Sequence, residues 1–152
     1  MEQCFAEHKP LSFEILDIDY FKQYNDRYGH QAGDDCVRAI VALIRQMESD
    51  QIFCARYGGD EFVIIYSGMS AEEVCERAEK LRQDVMALQI EQRYAEGSFG
   101  VTISQGICHD IPSNGNKNWD FLHVADQALY RVKRRGRNRL CMTDIHGREI
   151  EV

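Results

Sequence analysis

The heptapeptide Arg56-Tyr57-Gly58-Gly59-Asp60-Glu61-Phe62 lies between two apolar runs, Ile52 to Cys54 and Phe62 to Tyr66. Strand-like runs separated by two glycines favour a β-hairpin with a two-residue primed turn, because the central residues of such a turn need positive φ. With Gly58 and Gly59 as the loop, Tyr57 faces Asp60, and Arg56 faces Glu61 as an opposite-charge cross-strand pair. Two carboxylates then stand beside the turn. Taken alone, this arrangement is read about equally well as a tight turn carrying solvated acids.

A second acidic cluster shifts the balance. Asp17-Ile18-Asp19 closes the run Leu11 to Leu16, whose apolar content suits a buried strand. Side chains alternate along a strand, so Asp17 and Asp19 share one face and Ile18 takes the other. Tyr20 to Tyr28 follows as a short helix that ends near Gly29. Carboxylates at such a junction, beside carbonyls left over from the ladder, suit a hard divalent cation. Magnesium in particular is held by one or two carboxylates plus substrate phosphates. Two acidic motifs far apart in sequence therefore point to nucleotide chemistry.

The remaining pattern reads as strand 12–18, the short helix, helix 34–48, hairpin 52–66, helix 71–90, strand 99–107, helix 119–135 and strand 138–142. Val37, Ile40, Val41, Ile44 and Met47 stripe one helix; Val74, Ala78, Leu81, Val85 and Leu88 stripe the next. These are core faces rather than binding faces. Ser70 with Glu73 forms a capping box. Phe99, Val101 and Ile103 alternate as a half-buried strand does. Helices over a mostly antiparallel sheet give an α+β, ferredoxin-like architecture. At 152 residues and 44% hydrophobic, the chain is expected to form a single domain, 1–152.

Several function classes are disfavoured. A formal net charge of −7 opposes a broad phosphate-backbone surface, so nucleic acid is not expected as a partner. No apolar run is long enough to span a membrane, and Met1 to Phe5 lacks a secretory pattern. Six scattered cysteines without a CxxC pair suit reduced thiols, hence a cytoplasmic setting. The basic run Arg131 to Arg139 ends a helix striped by Leu122, Ala125, Leu129 and Val132, where cations favour the dipole and Gly136 serves as a C′ stop.

Together the motifs resemble the GGDEF domains, diguanylate cyclases that condense two GTP into cyclic di-GMP. The matching blocks are Asp17 to Asp26, Tyr28-Gly29-His30 with Gly33-Asp34, the heptapeptide at 56–62, Val101 to Gly106, and Ala125 to Tyr130 running into Lys133 and Gly136-Arg137-Asn138. The resemblance implies a fold shared with nucleotidyl cyclases and polymerase palms. It further implies that Asp17, Asp60 and the Ile18 carbonyl hold two Mg²⁺ ions, with Mn²⁺ as a substitute, and that Glu61 supports the same site. Asp60 also falls where the family places the group that helps deprotonate the attacking 3′-hydroxyl. Asn25 and Asp34 match the guanine-recognition positions, and Asp34 offers acceptors for the ring N–H and amine that adenine cannot fill. His30 is implied to hold the nucleotide. Lys133, Arg137 and the N–H groups at Tyr20, Phe21 and Lys22 are implied to meet the triphosphate, the last three as a helix-start anion site. Read without the resemblance, Asn25 is helix-end chemistry and Asp34 a cap of the following helix.

The chain departs from the family pattern in two places. No Asp-x-Leu-Thr-Gly-Leu-x-Asn-Arg segment precedes Asp17, so the expectation is a GGDEF domain lacking the family's N-terminal segment and an upstream sensor domain outside this chain. The Arg-x-x-Asp of the product-inhibition site is replaced, Ser49 and Ile52 standing at its ends. Each domain supplies one half-site, so catalysis implies a transient, concentration-dependent homodimer. Two rivals stay open: a catalytically inactive GTP-binding regulatory module, and a palm-type nucleotidyltransferase acting on a nucleic-acid end.

Overall fold

The structure, a computed structural model, describes residues 2–92 and 100–152. Its centre is β1 (Leu11–Ile18), eight residues buried without exception. Burial on both faces explains why this strand reads as a nearly continuous apolar run. β3 (Glu61–Ser67) and β4 (Ile103–Asp110) flank β1, β2 (Ile52–Arg56) lies outside β3, and β5 (Leu140–Thr143) lies outside β4. All pairings are antiparallel except β4 with β5.

Helices cover both faces of the sheet. Leu16, Ile18 and Ile64 pack under α3 (His30–Arg45) and α4 (Ala71–Ala87), which contribute Val37, Ile40, Ile44, Val74, Ala78, Leu81 and Val85. These match the expected stripes except for Leu88, which caps the end of α4 and is exposed. Leu11, Phe13 and Ile15 face α5 (Asn118–Arg134), with Phe121 and Leu129 completing the second core. Gly106 lets β4 approach α5, since a Cβ there would collide with the backbone of Ala125 and Leu129. The Ser70–Glu73 capping box opens α4 as expected, with bonds of 3.1 and 3.2 Å.

Four expectations need correction. α1 (Glu2–Glu7) was not anticipated. α2 (Phe21–Tyr28) is followed at once by α3, because Gly29 at φ 90° turns the chain and the next helix restarts at His30 rather than at 34. Asp34 consequently sits inside α3 and is not its cap. β4 begins at Ile103, and Val101 is buried just before it; Phe99 lies outside the described residues.

The hairpin also differs. Arg56 pairs with Phe62, not Glu61, and the Tyr57 N–H donates to the Glu61 carbonyl at 2.8 Å, so Gly58, Gly59 and Asp60 together form the loop. Neither Gly58 nor Gly59 has positive φ, so the turn is not of the primed type. Two sets of bonds account for the extra residue. Arg56 donates through Nε to the Gly58 carbonyl at 3.0 Å and through Nη2 to the Gly59 carbonyl at 2.6 Å. The Asp60 carbonyl accepts from the Ile18 N–H at 3.2 Å, tying the loop to the end of β1.

Candidate nucleotide and metal site

That last bond brings the two acidic motifs together. In the ladder Asp17 stands opposite Glu61 on β3 and Ser104 on β4. The Asp17 residue is only 5% exposed. Lys133, from the end of α5, forms an ion pair with its Oδ2, while Oδ1 is buried with no hydrogen-bond partner. Burial pushes the carboxyl up to about 6; Lys133 opposes the shift, and the charges of Asp19 and Asp60 add to it. Even with Lys133 on Oδ2, the unpartnered Oδ1 and the two acidic neighbours leave an excess of negative charge, and that donor chemistry fits a hard cation. Among the described residues no three His, Cys, Asp or Glu side chains gather closely enough to hold a metal ion on their own.

Asp19, two residues on, plays a different part. It accepts from Thr102 Oγ1 at 2.7 Å, Ser104 Oγ at 2.6 Å and the Asn138 N–H at 3.1 Å. These bonds leave it as a buried brace between β1, β4 and the chain after α5. Sequence reasoning grouped it with Asp17 as a carboxylate suited to a cation and did not foresee that its oxygens are taken by these donors.

Tyr20, at the start of α2, adopts a left-handed conformation (φ 55°, ψ 35°), and the helix start has no side-chain cap. Its carbonyl accepts from the Tyr24 N–H at 2.9 Å and from Gln92 Nε2 at 3.1 Å. Arg137 lies over the Tyr20 ring, 4.6 Å from its centroid, and 4.0 Å from Asp19 Oδ1. Lys133, Arg137 and the α2 start, carrying Phe21 and Lys22, thus meet at one edge of the Asp17 site. The Gln92 contact was not legible in sequence, being held by a residue 72 positions away.

Asn25 faces the α2–α3 turn. Its Oδ1 is buried with no partner, and it lies so close to Gly33 that a Cβ on Gly33 would overlap it. His30 and Asp34 are exposed on the first turns of α3. The structure thus brings Asn25 to Gly33, the residue preceding Asp34. An unpartnered buried amide oxygen next to exposed acceptors suits a ligand that donates N–H groups.

A five-stranded sheet with helices on both faces, and an acidic loop bonded to the end of its central strand, defines an α+β domain of the nucleotidyl-cyclase, palm-like type. The family model for the diguanylate cyclase GGDEF domain matches residues 1–139, and this chain belongs to that family. It is 37% identical over 145 residues to a diguanylate cyclase of Vibrio cholerae serotype O1, covering 88% of this chain and 40% of that protein. It is 35% identical to diguanylate cyclase DosC of Escherichia coli K12, covering 86% and 28%. The chain therefore spans less than half the length of either curated relative. The solved GGDEF domain of DgcB from Caulobacter crescentus, in complex with c-di-GMP, superposes with TM-score 0.82 at 32% identity, covering 95% of this chain and 83% of that one. Among the described residues no helix is long and apolar enough to cross a membrane.

Proposed function

We propose that residues 1–152 act as one diguanylate cyclase domain, which joins two GTP into cyclic di-GMP and releases pyrophosphate. The observation that carries this reading is the meeting of Asp17, with its unpartnered Oδ1, and the Asp60 loop bonded to Ile18. Asp17, Asp60 and the Ile18 carbonyl hold Mg²⁺, or Mn²⁺ in its place, with Glu61 in support across the ladder. When bound, such ions neutralise charge on the pyrophosphate and lower the pKa of the 3′-hydroxyl. Asp60 accepts the proton as that hydroxyl attacks the α-phosphate. Lys133, Arg137 and the N–H groups at the start of α2 bind the triphosphate. Asn25 and Asp34 read guanine, and His30 steadies the nucleotide.

One chain supplies one half-site, so two GTP-loaded copies must face each other. Turnover should rise more steeply than linearly with protein concentration, and strict proportionality would contradict the dimer. Incubation with GTP and Mg²⁺, followed by chromatography for cyclic di-GMP, tests the reaction, with Asp60→Ala as the control for the site. With Ser49 and Ile52 in place of the Arg and Asp of the product site, cyclic di-GMP should not inhibit through that site; tight cyclic di-GMP binding that is abolished by changing residues 49 to 52 would contradict this.

A second reading, a GTP-binding regulatory module without turnover, draws on one observation: Lys133 engages the carboxylate that a metal would need. GTP binding without product, at concentrations that favour a dimer, would select it.

A further inference from the structure

Arg82 lies on α4, outside the set of residues assigned above, with its side chain 18% exposed. Its Nε and Nη2 are taken by the two carboxylate oxygens of Glu79, at 2.9 and 2.5 Å, a two-armed pair that fixes the plane of the guanidinium. Burial that leaves a charge paired in this way makes the group a rigid donor. The remaining nitrogen, Nη1, points at Asn138 and donates to its Oδ1 at 3.0 Å and its carbonyl at 3.4 Å. From the opposite side the Asn138 N–H donates to Asp19 Oδ2 at 3.1 Å and Ser104 Oγ at 3.2 Å. Asn138 is gripped on both sides.

The gripped segment has an uncommon backbone. Gly136, Arg137 and Asn138 have φ of 110°, 64° and 49°, three left-handed residues in a row, of which only the first is glycine. Side chains disfavour that region, so such a run persists where its surroundings impose it. Its consequence is the orientation of Arg137. The chain doubles back after α5, and the Arg137 guanidinium is set over Tyr20 and beside Asp19. Without a hold on Asn138, the backbone at Arg137 is released toward commoner φ values and the guanidinium swings away.

We infer that Arg82 is a positioning residue for the triphosphate subsite, acting through Asn138 to aim Arg137. The inference rests on the reading of Arg137 as a triphosphate ligand. Arg82 itself touches no substrate, and what it supplies is the conformation of the segment that does.

Calorimetric titrations of the whole chain with Mg²⁺-GTP and with guanosine, which lacks the phosphates, separate aim from general stability. Arg82→Met should weaken GTP about tenfold, the scale of one lost charge-assisted bond, and leave guanosine unchanged. Added to Arg137→Ala it should cost nothing further, because both changes remove the same contact. Arg82→Lys keeps charge and bulk beside Glu79 and so maintains the fold; lacking the planar fork, it should show the same GTP-selective loss at smaller size. Equal weakening of GTP and guanosine, or full additivity with Arg137→Ala, would overturn the inference. If Arg137→Ala weakens GTP while both Arg82 variants bind it normally, only the role of Arg82 falls. If Arg137→Ala itself has no effect, the triphosphate reading falls and takes this inference with it.

Discussion

Lys133 reaches from the last turn of α5 to Asp17 Oδ2, and the other oxygen of the same carboxylate is left buried and unpartnered. The ion pair thus satisfies half of a group whose burial pushes its pKa up to about 6, against an ordinary value of 3.8. A carboxyl raised in the fold favours folding below its unfolded pKa and loses that contribution as pH rises through about 6. At neutral pH the ionised group is a cost to the metal-free fold.

Asp17→Asn should therefore raise the Tm of the metal-free, nucleotide-free protein by a few degrees near pH 7.5, while removing turnover. Scanning calorimetry and a product assay on the same sample check both halves. A lower Tm would show that the Lys133 pair outweighs the burial.

Glu14 predicts a pH dependence remote from the site. It is fully buried in mid-β1, accepting from Tyr66 Oη at 2.6 Å and Gln105 Nε2 at 2.9 Å, and burial raises its carboxyl from 4.5 to about 7. The contribution of this group is complete below about pH 4.5 and is lost as pH rises through 7, the ionised form being less stable by roughly 3 kcal/mol. Glu14→Gln should remove that decline. Relative to the wild type, the variant should gain stability between pH 5 and 8 in urea melts; parallel curves would contradict the assignment.

Gly33→Ala should disturb base recognition more than the fold. The new methyl would land on the Asn25 side chain, which is free to swing, rather than on backbone. GTP affinity is expected to fall about tenfold with Tm shifted by only a few degrees. Unchanged affinity would remove Asn25 from the base site.

Arg56→Ala tests the loop. Arg56 holds the Gly58 and Gly59 carbonyls from an exposed position, so its loss should cost about 1 kcal/mol of stability at most and lower turnover several-fold by loosening Asp60. Arg56→Lys, which lacks the fork, should recover only part. Steady-state kinetics that match the wild type would show that the loop holds its shape unaided.

The local features were readable from residue order. Apolar runs of strand length placed β1 and β3, 3.6-residue stripes placed α3, α4 and α5, Ser70 and Glu73 marked where α4 begins, and the acidic motifs singled out both halves of the candidate site. Each of these signals acts between residues a few positions apart, and packing had no reason to override them. The hairpin was legible as a hairpin, but its loop was not. A Gly-Gly pair satisfies the demands of a primed turn, whereas the observed register depends on the Asp60 carbonyl finding the Ile18 N–H and on Arg56 reaching two carbonyls.

Long-range pairing settled the rest. Glu14 in an apolar strand is tolerated because Tyr66 and Gln105, 52 and 91 positions away, supply donors. Asp19 became a brace because Asn138, 119 positions on, offers its N–H, and the left-handed Arg137 directly precedes that anchored residue. Residue order specifies which groups a strand or helix presents, since that follows from local periodicity. Which buried donor meets which buried acceptor depends on how the layers close over one another, and a buried polar group accepts only a partner that this closure delivers.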